Sequence, residues 1–125
     1  MHLRAMIDPH LMRLFAPIAC TATEIAIFAY LDSRGRVLGV RHVHSSTVAE
    51  VDVPIRAIAG DALAFGADQV VMAHNHPSGD PEPSRDDLAV TRRIATALNA
   101  LGIRLVDHLV LAGDRAISLR ARGLL

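Results

Sequence analysis

Cysteine is nearly absent from this chain, and neither sign of charge is in excess. Cys20 is its single cysteine, which excludes an intramolecular disulfide and any zinc site built on several cysteines. The small neighbours of Cys20 favour a buried hydrophobic role for its side chain. Thirteen basic residues balance thirteen acidic ones. This balance argues against non-specific nucleic-acid binding by the chain as a whole. Any contact with nucleic acid would require partner proteins or a local basic face.

Long apolar runs are also missing. No stretch of eighteen apolar residues occurs, so we expect no membrane-spanning helix. Arg4, Asp8 and Arg13 interrupt the region where a signal peptide would be apolar, and we therefore expect a cytoplasmic protein. With 125 residues, of which 51% are hydrophobic, the composition is typical of one globular domain.

The hydrophobic pattern alternates between strand-like and helical segments. A short helix is expected over Pro9–Phe15, a β-hairpin over Glu24–Leu31 and Val37–His44, a helix over Pro54–Phe65, a buried strand over Val70–Ala73, a helix from Ser84 to about Leu101, and strands over Ile103–Ala112 and Ala116–Leu119. Three prolines and a glycine predict a stiff loop between His76 and Pro83.

Two histidines stand at the end of the predicted buried strand. His74 and His76 are two residues apart, and in extended backbone such residues project to the same side. Both imidazoles can therefore reach one ion. Taken alone, an H-x-H pair is more typical of two polar loop histidines than of a metal site.

Asp87 adds a third candidate ligand. At 100° per residue, the apolar residues of the following helix cluster on the side of Asp87, and a carboxylate turned toward a core is costly unless it is paired or binds a metal. The same residue also fits a capping box with Ser84. The two roles partly conflict, since a capping acid lies at the helix edge.

Two imidazoles and one carboxylate are typical of catalytic zinc. Such a set leaves a tetrahedral position open for water, whose pKa zinc lowers to about 7. Hydrolysis also requires a proton acceptor and a donor for the oxyanion.

The string from His74 to Asp87, HNHPSGDPEPSRDD, resembles the JAMM (MPN+) motif, H-x-H followed by seven residues and S-x-x-D. In detail it is similar to the RadC branch of JAB domains. The similarity extends through YLDSRGRVLG at 30–39 and LGIRLVDH at 101–108, and covers about residues 22–125. It implies a JAB/MPN fold, which is a mixed α+β (α/β) fold related to that of the cytidine deaminases. In this fold, helices flank a central mixed β-sheet. A short helical extension over residues 1–21 is expected to precede the domain, which covers residues 22–125.

The resemblance also implies roles for individual residues. His74, His76 and Asp87 would bind one zinc ion, Ser84 would support the oxyanion, and Glu24 would deprotonate the attacking water, with Glu50 as the competing candidate for the base. The implied activity is that of a zinc metallopeptidase or isopeptidase acting on a peptide or protein, in a family associated with DNA repair. The alternative is a non-catalytic JAB-fold interaction module in a DNA-repair or mobile-element context.

The sequence departs from the RadC pattern at two places. About twenty residues precede the JAB core, where RadC proteins usually have a helix-hairpin-helix domain, so a DNA-binding role tied to that domain is not expected. The segment 51–56 also differs from the branch, which predicts a different substrate. A nuclease is disfavoured, because nuclease sites of the HNH type assemble their residues across a ββα fold and not from neighbouring positions such as His74-Asn75-His76. A deaminase is disfavoured because the P-C-x-x-C ligands are absent.

Other polar residues have simpler interpretations. His42 and His44 are expected on the surface of a hairpin strand, His2 and His10 are expected to be exposed, and Arg92 and Arg93 belong to a solvated helix face. His108 could orient a ligand, but the pattern favours a histidine at a strand edge.

Overall fold

The structure is a computed structural model that describes residues 9–44 and 53–125. Its elements are α1 (Pro9–Phe15), a 3₁₀ helix (Ala16–Cys20), β1 (Ile25–Leu31), β2 (Val37–His44), α2 (Ile55–Phe65), β3 (Gln69–Asn75), α3 (Arg85–Ala100), β4 (Arg104–Ala112) and β5 (Arg115–Ser118). They confirm the helices and strands predicted from the hydrophobic pattern. β3 differs most, because it continues through His74 and Asn75.

The strands form one mixed sheet in the order β2-β1-β3-β4-β5. β1 is antiparallel to both β2 and β3, whereas β3 and β4 are parallel. Parallel neighbours need a long crossover connection, and α3 provides it between β3 and β4. The predicted mixed sheet flanked by helices is confirmed.

Helices cover both faces of the sheet. On one side, here called the α3 face, α2 and α3 pack against Phe28, Tyr30 and Val70. On the other, the α1 face, α1 and the 3₁₀ helix pack against Ile27 and Val71. Because both faces are covered, β1 and β3 are almost continuously apolar instead of alternating with polar residues.

Helix α1 contributes to the core. Leu11, Phe15 and Ile18 are at most 5% exposed and pack on the α1 face. The described part of the segment 1–21 therefore packs directly on the sheet, while the domain boundary after residue 21 stays a prediction. The prediction that Cys20 is buried is wrong, since the 3₁₀ helix turns Ile18 inward and leaves Cys20 exposed.

A polar cluster links α2 to the edge of the sheet. Asp61 accepts hydrogen bonds from the Tyr30 hydroxyl at 2.8 Å and from the Arg41 guanidinium at 2.5 and 3.0 Å. The hydrogen bond from Arg41 lowers the pKa of Asp61 more than burial raises it.

Within the described residues, no helix is both long and apolar enough to span a bilayer.

Candidate metal centre

The two histidines of the H-x-H pair lie where β3 passes into the proline-rich loop. His74 is on the α3 face and is 6% exposed. The His76 backbone N–H donates to the Leu111 carbonyl at 2.8 Å, so contact with β4 continues one residue past the end of β3. The two imidazole centroids are 4.7 Å apart. Both rings therefore face the same site, as the spacing predicts.

Asp87 reaches this site from the first turn of α3. Its backbone N–H donates to Ser84 Oγ at 3.0 Å, and its Oδ2 accepts the Ser84 backbone N–H at 2.8 Å. The same carboxylate places Oδ1 3.3 Å from His74 Nε2 and Oδ2 3.1 Å from His76 Nε2. The suggested conflict between capping and ligation is wrong, because a carboxylate has about four lone-pair positions and can serve both roles.

The loop between β3 and α3 is held from two directions. Gly79 has a left-handed backbone, with φ +93°, and its carbonyl accepts a hydrogen bond from Arg115 at 2.7 Å. Arg122 forms an ion pair with Glu82 at 2.6 Å. Together with its prolines, these contacts fix the distance between the histidines and α3.

His108 determines which nitrogen of His74 carries a proton. Burial holds the pKa of His108 well below its ordinary value, so this ring is neutral. Thr91 Oγ1 lies 2.6 Å from both the Asp87 carbonyl and His108 Nδ1. Because a carbonyl can only accept, the Thr91 hydroxyl donates to it and must itself accept the His108 Nδ1–H. His108 Nε2 is then a bare acceptor.

That acceptor lies 2.6 Å from His74 Nδ1, so His74 donates from Nδ1 and its Nε2 carries a lone pair. His74 Nε2 is buried, and its contact with Asp87 lacks hydrogen-bond geometry, which leaves it without a hydrogen-bond partner among the described residues. A buried polar atom of this kind normally has a partner. The atom is therefore oriented as a ligand.

His76 follows the same logic. Its Nδ1 lies 2.8 Å from the Asp80 carbonyl and donates to it, which turns Nε2 toward Asp87. Two lone pairs and one carboxylate thus converge, with all ligand atoms within 4.8 Å of one another. Tetrahedral bonds of 2.0–2.2 Å would separate ligand atoms by roughly 3.3–3.6 Å, and the observed 3.1 and 3.3 Å lie at or just below this range. The residues fit a divalent cation.

The electrostatics of the site also favour a cation. Burial raises the pKa of Asp87, but proximity to His74 and His76 outweighs it and holds this pKa well below the ordinary range. When no cation is bound, a proton on His76 Nε2 can bond to Asp87 Oδ2, and this contact raises the pKa of His76 against an opposing effect of burial. Asp87 is therefore an anion at neutral pH, and positive charge beside it is stabilised.

A cleft of about 420 Å³ opens at the metal-ligand cluster. Glu24, directly before β1, and Ser84, at the start of α3, both line it. The charge of Glu24 also contributes to the raised pKa of His76. Ser78 and Asp86 also line the cleft, and apolar side chains form much of the remaining wall, among them Ala26, Val43, Met72 and Val90. The structure thus brings all five predicted site residues to one cleft.

Comparison with known proteins identifies the family of this chain. The family model described as the RadC-like JAB domain matches residues 6–124. The chain belongs to the RadC-like JAB domain family. It is 39% identical over 118 residues to a UPF0758 protein of Cellvibrio japonicus, covering 93% of this chain and 53% of that protein. It is 36% identical over 124 residues to the UPF0758 protein BAV2405 of Bordetella avium, covering 98% of this chain and 55% of that protein.

This RadC-like JAB domain therefore spans about half the length of the curated relatives that it matches. The resemblance stated from the His74–Asp87 string is confirmed, as is the mixed sheet flanked by helices. The names of these relatives describe no activity.

The positions predicted for the other polar residues of the RadC-like domain are partly confirmed. His42, His44, Arg92 and Arg93 are exposed, as expected. His108 is not at a strand edge: it is 1% exposed and contacts His74. Glu50, the competing base, and His2 lie outside the described residues.

Two contributors to the site, Thr91 and Asn75, were not recognised from the sequence. Thr91 is one helical turn after Asp87, a spacing that places both on one side of α3, and this was the available signal. Asn75 stands between the two histidines and turns to the opposite face of β3.

Proposed function

We propose that this domain is a zinc-dependent hydrolase of the JAMM type that cleaves peptide or isopeptide bonds in a peptide or protein substrate. One observation carries the proposal. The lone pairs of His74 and His76 and the Asp87 carboxylate converge in a cleft that Glu24 and Ser84 also line. A metal-ligand set, an acid–base residue and a hydroxyl donor are the groups that amide hydrolysis requires.

The ligand chemistry favours zinc. Two imidazole nitrogens and one carboxylate oxygen are the mixed ligands of catalytic zinc sites, whereas calcium and magnesium prefer oxygen ligands. A zinc ion bound here would lower the pKa of a water molecule and polarise the substrate carbonyl. The protein holds the three ligands in place before binding, through the Asp80 carbonyl, His108 and the α3 cap.

Glu24 is proposed as the proton acceptor. It is partly exposed, lines the cleft and acts electrostatically on His76. A carboxylate in this place can take a proton from the attacking water and return it to the leaving amine. Such general acid–base catalysis contributes about 10²- to 10⁴-fold to the rate.

Ser84 is proposed as the donor to the oxyanion. Its Oγ accepts the Asp87 backbone N–H, which uses a lone pair and leaves the hydroxyl proton free. That proton can be donated to the substrate carbonyl oxygen as it gains negative charge. The cap of α3 thereby fixes the donor beside the ligands.

The apolar walls of the cleft suit the side chains of a polypeptide more than a polyanionic nucleic acid. A role in DNA repair would then be exercised on a protein substrate or through partner proteins. This part of the proposal follows the family association and the balanced charge of the chain.

The test is zinc content together with hydrolysis. Wild-type protein and Glu24→Gln are loaded with zinc and incubated with quenched fluorescent peptides and with lysine-linked isopeptide conjugates. We expect one zinc per chain in both proteins, cleavage by the wild type, and a kcat about 10²- to 10⁴-fold lower in Glu24→Gln.

The surface variant His42→Ala serves as a control and should cleave at the wild-type rate, because His42 is exposed on β2. One zinc per chain without cleavage of any peptide or isopeptide would contradict the hydrolase and favour the interaction module. Cleavage of plasmid DNA by the zinc-loaded wild type, lost in Asp87→Ala, would instead point to a nuclease.

A further inference from the structure

Asn75 separates the two metal-binding histidines in sequence and points away from them. Side chains alternate along a strand, so His74 faces α3 while Asn75 enters the α1 face. Asn75 is 0% exposed. A fully buried amide must find partners for its oxygen and for both of its amide hydrogens.

All of those partners lie between Thr21 and Ile25, where the chain enters β1. Asn75 Oδ1 accepts the Ile25 backbone N–H at 2.7 Å. Its Nδ2 donates to Thr21 Oγ1 at 2.8 Å and to the Thr23 carbonyl at 2.9 Å, with the Thr21 carbonyl further away at 3.4 Å. One side chain thus holds the main chain of a segment about fifty positions away in sequence.

The segment held in this way contains Glu24. The Thr23 carbonyl and the Ile25 N–H, which flank Glu24, are both bonded to the same amide. Pairing of β1 with β3 ends at Ala26 and His74, so the Asn75 side chain extends the connection beyond the end of that ladder. The backbone of Glu24 is therefore attached to the strand that presents His74.

We propose that Asn75 is a positioning residue that fixes the Glu24 carboxylate relative to the metal ligands. The inference rests on the proposed role of Glu24 as the base. The H-N-H tripeptide then serves two faces of one strand: its histidines supply ligands to the α3 face, and its asparagine locates the proton acceptor from the α1 face. A misplacement of about 1 Å can cost about 100-fold in rate, which makes such a connection functionally important.

The experiment compares Asn75→Ala, Thr21→Val and the control Tyr30→Phe as zinc-loaded proteins. Tyr30→Phe removes a hydrogen bond to Asp61 from the neighbouring strand β1 without touching the Glu24 segment. We expect kcat to fall about 10- to 100-fold in Asn75→Ala, with KM and zinc affinity within about threefold of wild type. Thr21→Val removes one partner of Asn75 and leaves the others in place, so it should show a smaller decrease in kcat. Tyr30→Phe should keep the wild-type kcat.

A double variant distinguishes positioning from general destabilisation. If Asn75 acts through Glu24, adding Asn75→Ala to Glu24→Gln lowers kcat little further, because the base is already lost. A structural defect would multiply the two losses and would overturn the proposal. Zinc affinity reduced more than tenfold in Asn75→Ala would overturn it too, since the defect would then lie in the ligands.

Amide hydrogen exchange reports on the same contact without hydrolysis. The Ile25 N–H should exchange at least tenfold faster in Asn75→Ala, while the amides of Val71 and Ala73 in β3 keep their protection. An unchanged Ile25 rate would overturn the positioning role. A wild type without peptidase activity would contradict the proposed function. Because hydrogen exchange does not depend on hydrolysis, the Ile25 exchange rate would still decide whether Asn75 holds the Glu24 segment.

Discussion

His108 Nε2 lies 2.6 Å from His74 Nδ1, the ring nitrogen that faces away from Asp87. Metal-binding histidines commonly donate this second N–H to an outer partner, which fixes the tautomer and the orientation of the ring. Here the partner is a buried imidazole, itself oriented by the Thr91 hydroxyl. Metal affinity should therefore depend on residues that do not touch the ion.

We expect His108→Phe to weaken zinc binding by about 10- to 100-fold, because His74 loses the acceptor that fixes its tautomer. Thr91→Val should cause a smaller loss in the same direction. Competition with a fluorescent chelator measures both affinities. His42→Ala, which alters an exposed histidine, is the control and should bind zinc as the wild type does. Equal affinities in wild type and His108→Phe would contradict this role for His108.

Asp87 combines two functions that substitution can separate. Asp87→Ala should lose the capping contact to Ser84 and weaken zinc binding at least tenfold, with a stability loss of about 1 kcal/mol. Asp87→Asn keeps an oxygen for the Ser84 N–H but carries no charge, so it should weaken zinc binding while retaining most of the stability. Chelator competition and thermal unfolding of the metal-free proteins measure the two effects. Stoichiometric, tight zinc in Asp87→Ala would exclude this site.

Ser84→Ala should lower kcat by about 10²- to 10³-fold, the usual cost of removing one oxyanion donor. It also removes a helix cap, so its stability must be compared in the same buffer. Ser84→Thr retains both the cap and the hydroxyl and should recover most of the rate. A wild-type kcat in Ser84→Ala, measured on the same fluorescent peptide, would show that the hydroxyl only caps α3.

The Asp61 cluster predicts a pH-dependent stability. The folded-state pKa of Asp61 is lowered, chiefly by the hydrogen bond from Arg41, while the unfolded-state value is about 3.9. Its contribution is therefore fully present above about pH 4 and is lost as the pH falls through the folded-state pKa. Asp61→Asn should have a lower urea midpoint than wild type at pH 7, and this gap should close at lower pH.

Phe15 tests whether α1 belongs to the core. It is 0% exposed and packs on the α1 face, so Phe15→Ala should lower the free energy of unfolding by about 3–5 kcal/mol. Phe65→Ala offers a matched comparison, because Phe65 is 45% exposed and should cost less than half as much. Urea unfolding at neutral pH measures both, and equal losses would mean that α1 does not pack as described.

Local pattern was sufficient for the secondary structure and for the ligands. Strand alternation places His74 and His76 on one side, helical periodicity turns Asp87 inward, and the prolines stiffen the loop between them. These are short-range properties of the chain, so the sequence alone determined which three residues could meet around one ion.

The outer contacts of the site depended on the tertiary structure. The pairing of β3 with β4 skips Val106, so that Val70 pairs with Leu105 and Val71 with Asp107. This irregularity reverses the alternation along β4 and turns His108 toward His74, whereas unbroken alternation from Leu105 would have turned Asp107 that way. Sequence alone therefore determined the candidate metal ligands. The fold decided what orients them, because strand register and the partners of Asn75 are set by distant segments of the chain.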